Sequence, residues 1–312
     1  MRDQIESGAR LLRAALFSAW NMSTGRRCKP APPAVIEIYG NGKPLDDPIP
    51  RIIWVYWHQA ELPPLVQVCL KNTHRLNPNF EIRVLRPENL SDYIPLLPEQ
   101  IANVNIEKRT DWIRLFLLST YGGIWLDSTI ILTRSLDWVI EQQVKDRSEF
   151  VGFFIRSMTL RPQHPVLESW FLASAAGSPF VANWFRVFHE KVILEGTSNY
   201  LASLRSRGVY DRILQGITSP EYLAVHVACQ EVLQEGPEHR LSLTCAEESA
   251  YFYHEATRWR RSRLHNELLF KRAAGQLPTL IKIRGFDRRY LDRYLSAGLY
   301  VRESVIGRMF RS

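Results

Sequence analysis

Apolar residues run along this chain in two rhythms. Arg51-Ile52-Ile53-Trp54-Val55-Tyr56-Trp57 is a nearly continuous apolar, β-branched and aromatic run, which reads as a buried parallel strand. Leu65 to Leu76 carries a helical spacing that Asn77-Pro78-Asn79 closes. Phe80 to Leu85 alternates and reads as a second strand. An amphipathic segment from Arg109 to Leu118 follows, then Gly122-Gly123 and a short apolar run, Ile124-Trp125-Leu126, that ends in Asp127. Strand, helix, strand, helix, strand predicts a doubly wound α/β sheet. Further on, Phe150 to Ile155 reads as a strand, and His164 to Ala176 and Phe180 to Leu194 as helices with aromatic stripes that suit a core. Tyr200 to Leu233 mixes short helices and loops.

Residues 1–47 differ from the rest. Ile5, Leu12, Leu16, Ala19 and Trp20 recur at helical spacing, with Arg2, Arg10, Arg13, Arg26, Arg27 and Lys29 among and after them. A basic amphipathic helix of this kind either lies in a membrane interface or packs on the body of the protein. The tail from Gly298 to Arg311 is also apolar and basic. Lys29-Pro30-Ala31-Pro32-Pro33 reads as a stiff linker, because proline fixes φ. The expected division is therefore an N-terminal helix and linker over 1–47 and one folded domain over 48–312.

At 312 residues and 46% hydrophobic the chain can bury a large core. Its net charge of +8 suits anionic partners or a solvated basic surface equally. Cys28, Cys69, Cys229 and Cys245 stand far apart, which excludes a CxxC zinc or redox pair and predicts free thiols in a reducing compartment. No run approaches the roughly 18–20 apolar residues that span a bilayer, and no secretory leader pattern opens the chain. The expected location is cytoplasmic, with peripheral attachment to the inner face of a membrane through the N-terminal helix.

The chain has no GxGxxG after a strand, no GxxxxGK[ST], no HExxH and no GxSxG. Dinucleotide oxidoreductases, P-loop ATPases, zincins and α/β-hydrolases thus lose their support. What remains is one carboxylate, Asp127, at the carboxyl edge of the sheet, where open α/β sheets bind ligands. Asp111 and Arg114, three residues apart, share a helix face just upstream. Together they can take sugar hydroxyls and clamp an anionic oxygen; at a surface they would be an ordinary ion pair.

Thr110-Asp111-Trp112-Ile113-Arg114 followed by Tyr121-Gly122-Gly123-Ile124-Trp125-Leu126-Asp127-Ser128-Thr129 resembles the core motif of the capsular polysaccharide synthesis proteins. These are relatives of the sugar-transferring glycosyltransferases that carry a DXD motif. Ile49-Pro50-Arg51-Ile52-Ile53 and Asn77-Pro78-Asn79-Phe80-Glu81 resemble the family's opening strand and the approach to its second strand. The resemblance is clear from Pro48 to Leu136, with weaker echoes to Arg284. It implies a GT-A-like, Rossmann-type, mostly parallel sheet flanked by helices, with a helical C-terminal part.

The same resemblance implies a glycosyltransferase that moves a sugar from a nucleotide-sugar donor to a glycan or lipid-linked glycan acceptor in capsular or other surface polysaccharide synthesis. It implies retention of configuration and a divalent cation, Mn²⁺ or Mg²⁺, as cofactor. Asp127, Asp111 and Arg114 become the catalytic set. Val55, Tyr56, Trp57, Gly123 and His254 join those three in binding the donor, and the run Arg258-Trp259-Arg260-Arg261 is a candidate for a closing loop. The metal falls to Asp127 and Thr129. Thr129 stands where the motif's second aspartate would be, and it offers only a neutral hydroxyl. Two other readings stay open: a catalytically weak nucleotide-sugar-binding protein, and a basic nucleic-acid-binding or scaffold protein. The Lys and Arg residues are scattered and no helix-turn-helix, RNP or zinc pattern accompanies them, so no nucleic acid is expected.

Overall fold

A computed structural model of the chain describes residues 2–310. The side chains of Arg2, Ile5 and Arg10, and all of Arg311, lie outside the described residues. The nine strands are β1 (Ile36–Tyr39), β2 (Ile52–Tyr56), β3 (Glu81–Leu85), β4 (Gly123–Leu126), β5 (Ile130–Leu132), β6 (Phe150–Ile155), β7 (Val166–Ser174), β8 (Leu241–Cys245) and β9 (Leu280–Lys282). Seven form the central sheet in the order β1-β8-β6-β7-β4-β2-β3, and β5 pairs with β9 in a separate two-stranded ribbon. In the central sheet β2, β3, β4, β6 and β8 run one way and β1 and β7 run against them. The sheet is thus mixed but mostly parallel, and helices flank it, as the resemblance implied.

Alternation along β2 and β4 shows why the sheet is covered on both sides. Trp54 and Trp125 enter one apolar cluster. Their neighbours Ile53, Val55, Ile124 and Leu126 enter another on the opposite face. A parallel strand with both faces buried has to be apolar at every position, which is what the run from Ile52 to Tyr56 shows.

Two expectations need correction. Residues 164–176 hold a strand, β7, and no helix. All nine residues of β7 are buried between β4 and β6, so no polar face remains to mark a period of two. A short, continuously apolar run cannot be told from a buried helix by periodicity. Second, the stretch assigned to a linker contains β1, which pairs antiparallel with β8 and forms the sheet's edge. Its four residues, Ile36-Glu37-Ile38-Tyr39, are too few to announce a strand. The other segments fall as expected: helices at Pro64–Leu76 and Ile106–Tyr121, and a helix at Pro179–Val187 that continues as a wider π-helical turn to Leu194.

The N-terminal helix, Arg2–Ser23, fits both readings of its sequence at once. Ala14 packs into the apolar cluster beneath the C-terminal segment, and the Asn21 side-chain amide donates to Asn266 Oδ1 at 2.8 Å. Leu12, Leu16 and Trp20 lie on the other side and are exposed. The tail tucks Val305, Ile306 and Met309 into the same cluster. No helix among the described residues is long and apolar enough to cross a membrane. All four cysteines are buried free thiols.

Candidate active site

The helix Ile106–Tyr121 starts on Asn105, whose side chain accepts the Lys108 backbone N–H at 3.0 Å. It stops at Gly122, which takes φ +64°. Gly123 follows at φ +98°, and a Cβ there would lie 2.7 Å from the Ile52 carbonyl oxygen. Two glycines are therefore needed to reverse the chain and let β4 slide against β2. Gly123 is buried among backbone and does not face the cleft, so its part is to place β4. The strand then delivers Asp127, whose backbone N–H donates to the Trp170 carbonyl of β7 at 3.0 Å.

Around Asp127 the structure assembles a buried ionic group. Asp127 Oδ1 accepts from the Trp125 indole N–H at 3.0 Å and from Arg114 Nη2 at 3.4 Å; Oδ2 accepts from Lys282 Nζ at 2.5 Å. Arg114 Nη1 also meets Asp111 Oδ1 at 3.0 Å and donates to the Ser169 carbonyl and hydroxyl, both at 2.7 Å. The guanidinium lies over the Trp125 ring. Asp111 and Arg114 are thus no solvated surface pair: both are buried against β7. Burial raises the Asp111 pKa, and Arg114 offsets only part of that. Burial works against the charge on Asp127 too, but Lys282 and Arg114 prevail and hold its carboxyl below the usual range.

The group opens into a cleft of about 820 Å³, in the size range of small-molecule sites. Asp111, Arg114, Asp127, Thr129, Tyr56 and Trp57 all line it, so most of the residues singled out in the sequence come together. Val55 does not; its side chain belongs to the core on the far face of the sheet. His254 also lies outside the cleft. It is buried behind the wall, with Nε2 3.3 Å from Asp287 Oδ2 and its ring against Trp259. Asp287 in turn accepts from Arg284 at 2.9 Å, so His254 supports residues that do line the cleft. Of the run 258–261, Trp259 reaches the cleft. Arg258 and Trp259 both take positive φ, 53° and 55°, a backbone conformation that costs a non-glycine residue about a kcal/mol or more.

Lys282, Arg284 and Arg288 line the cleft without having been marked in the sequence. So do Glu168 and His226, 3.8 Å apart and both buried, with His226 Nδ1 lacking a partner. Glu168 escaped notice because β7 was read as a helix. Lys282 sits in β9, and its register opposite Ile130 carries it to Asp127 across 155 residues of sequence. No local signal announces such a pairing.

The cation expected at Asp127 and Thr129 fits this arrangement poorly. Mn²⁺ and Mg²⁺ want about six oxygen ligands. Both oxygens of Asp127 already accept hydrogen bonds, and two of the donors are cationic. The Thr129 hydroxyl donates to the Ile283 carbonyl at 2.8 Å. Among the described residues no three His, Cys, Asp or Glu side chains gather where they could hold an ion. A cation bound to Asp127 would also face Lys282 and Arg114, at about 4 kcal/mol of repulsion per pair of unit charges 4 Å apart near an effective dielectric of 20.

Comparisons with known proteins agree with this picture. The profile of the family described as Capsular polysaccharide synthesis protein matches residues 36–191, from β1 through the π-helical turn. An O-glycosyltransferase, braB, of Annulohypoxylon truncatum is 30% identical over 166 residues, covering 47% of this chain and 38% of that protein. Inositol phosphoceramide mannosyltransferase 3 of Schizosaccharomyces pombe is 34% identical over 107 residues, covering 32% and 29%. The chain spans less than half the length of the curated relatives it matches. Among solved structures, the PaToxG glycosyltransferase aligns over 84% of this chain and 88% of its own, at 13% identity and TM-score 0.39. The UDP-bound glycosyltransferase domain of the YGT toxin aligns over 85% and 100%, at 9% identity and TM-score 0.38. The profile match takes in the Asp111–Arg114 helix, the glycine turn and Asp127, and it extends over half of the 312 residues: the chain belongs to the capsular polysaccharide synthesis protein family.

Proposed function

We propose that this chain is a glycosyltransferase that moves a sugar from a nucleotide-sugar donor to a hydroxyl of a glycan acceptor. The carrying observation is the convergence of Asp111, Arg114 and Asp127 in one cleft at the carboxyl edge of β4, with aromatic residues at the end of β2 and basic residues after β9. A nucleotide sugar has three parts, and the cleft answers each. Tyr56 and Trp57 offer ring faces to a base. Asp111 offers a buried carboxylate to ribose or sugar hydroxyls. Arg114, Lys282, Arg284 and Arg288 offer positive charge to the diphosphate. In transfer, the bond from the sugar's anomeric carbon to the phosphate oxygen breaks and a bond from that carbon to the acceptor oxygen forms. The acceptor's proton leaves with the nucleoside diphosphate. Cations fixed beside the leaving diphosphate lower the barrier because they meet charge as it develops.

The family resemblance supports retention of configuration and a surface polysaccharide as the acceptor, and the names of the fungal relatives support an O-glycosidic product. The divalent cation has no part in this reading, because the residues at Asp127 do not fit one. The test is a thermal-shift panel of UDP-, GDP- and CMP-sugars. One matching donor is expected to raise the melting temperature by mass action and to be turned over with a glycan acceptor. Salt-sensitive DNA retention with no response to any nucleotide sugar would favour the nucleic-acid reading instead.

We further place the chain at the face of an anionic membrane, where a lipid-linked acceptor would be met. Leu12 and Leu16 are each 65% exposed and Trp20 is 54% exposed, one helical turn apart along one side of the helix. Arg26 stacks over Trp20 and Arg13 over Phe17, so cations border the apolar side. Interfacial helices have this form. Co-sedimentation with vesicles containing phosphatidylserine is expected, and with pure phosphatidylcholine much less. Leu16→Glu with Trp20→Glu is expected to abolish it while donor binding survives. Equal retention of that variant would rule the helix out as the contact.

A further inference from the structure

We propose that Lys282 stands in for the divalent cation: anchored on Asp127, its ammonium neutralises the donor diphosphate, and this chain binds and uses its donor without a metal. The inference rests on the glycosyltransferase reading given above.

Three observations carry it. The first is position. Lys282 Nζ lies 2.5 Å from Asp127 Oδ2, the oxygen a cation would need, while Oδ1 is shared by Trp125 and Arg114. The second is fixation. The β5–β9 ribbon sets Lys282 opposite Ile130, its backbone N–H donates to the Ala250 carbonyl at 3.1 Å, and the Thr129 hydroxyl ties the next residue's carbonyl at 2.8 Å. Thr129, the weak point of a metal site, here fastens the segment that carries the lysine. The third is reach. Lys282 lines the cleft, and an ammonium has three N–H donors. With one committed to Asp127, others can meet phosphate oxygens, as lysines do in other phosphate sites.

The charges are consistent with this. Asp111 and Asp127 balance Arg114 and Lys282 within the buried group, so the set needs no further cation to be neutral. Arg284 and Arg288 add positive charge at the same cleft, on the first turns of helix 285–296 and just before it. A helix start of that kind favours a phosphate.

The test uses the whole chain and the nucleoside diphosphates UDP and GDP as probes. In excess EDTA, the melting-temperature rise produced by the matching diphosphate is expected to equal that in Mn²⁺. Mn²⁺ alone, followed by its EPR signal, is expected to stay free in solution. Lys282→Met is expected to lose the rise with or without Mn²⁺. Lys282→Asp, which sets a second carboxylate beside Asp127, is expected to regain it only with Mn²⁺. A wild-type rise that disappears in EDTA, or tight Mn²⁺ uptake by the wild type, would overturn the proposal and leave the glycosyltransferase reading intact. No rise from either diphosphate or from any sugar donor, with or without Mn²⁺, would overturn both. The wild-type measurements decide the matter even where a variant fails to fold.

Discussion

Asp127→Asn is expected to lower donor turnover by roughly 10²–10³-fold, the scale of losing one fixed electrostatic contact to the transition state, with the fold intact. The amide keeps the shape of the carboxylate and removes the charge that fixes Lys282 and Arg114. Affinity for the bare nucleoside diphosphate is expected to hold or to rise, since one negative charge beside it is gone. A site built on a metal would show the opposite, a loss of diphosphate binding along with turnover. The stability effect has a definite sign as well. Lys282 and Arg114 hold the Asp127 carboxyl below its ordinary value of 3.8 in spite of burial. The stability it contributes is therefore complete above that unfolded value and is lost as pH falls through the lower folded one. Urea unfolding is expected to show Asp127→Asn less stable than wild type at neutral pH, with the gap closing only below about pH 4. Turnover equal to wild type would remove Asp127 from the site.

Arg114→Ala is expected to destabilise the protein by roughly 3–5 kcal/mol, the range for breaking a buried ion pair from one side. Arg114 serves two carboxylates, the Ser169 carbonyl and hydroxyl and the Trp125 face at once. Its loss leaves Asp111 buried with no cation in contact. Arg114→Lys is expected to recover only part, because an ammonium cannot reproduce the planar fork. Adding Asp111→Asn to Arg114→Ala is expected to restore part of the stability, since it removes the stranded charge. The Asp111 pKa is already raised by burial, and without Arg114 it climbs further. The native state then prefers the protonated acid, so the Arg114→Ala deficit is expected to narrow as pH falls. Chemical denaturation of the four proteins over a pH series measures all of this. A deficit within about 0.5 kcal/mol, the usual span of surface changes, would show that the buried group does not support the fold.

Much of the fold was legible along the chain, because local chemistry encodes it. The β2 run, the helix 106–121, the glycine pair and Asp127 each follow from apolar spacing, a cap and φ-permissive residues within a few positions. Asp111, Arg114 and Asp127 could be marked from sequence because one helix and the strand after it carry all three. β7 was not legible: burial on both faces left it no period, and only its neighbours β4 and β6 decide that it is a strand. β1 was too short to be read and exists because β8 offers it an edge. Val55 and Gly123 were read as donor contacts and prove to be packing residues, since adjacent strand positions face opposite ways. His254 was placed in the right neighbourhood but behind the wall.

The largest difference concerns charge. By itself the sequence determined a carboxylate at a sheet edge with a threonine two residues on, and that pattern suggested a weak metal site. Only the tertiary structure brought Lys282 to Asp127. Ion pairs between residues 155 positions apart leave no trace in composition or periodicity. They depend on which strands pair, and here the ribbon of β5 and β9 set an ammonium where the sequence motif had suggested a metal.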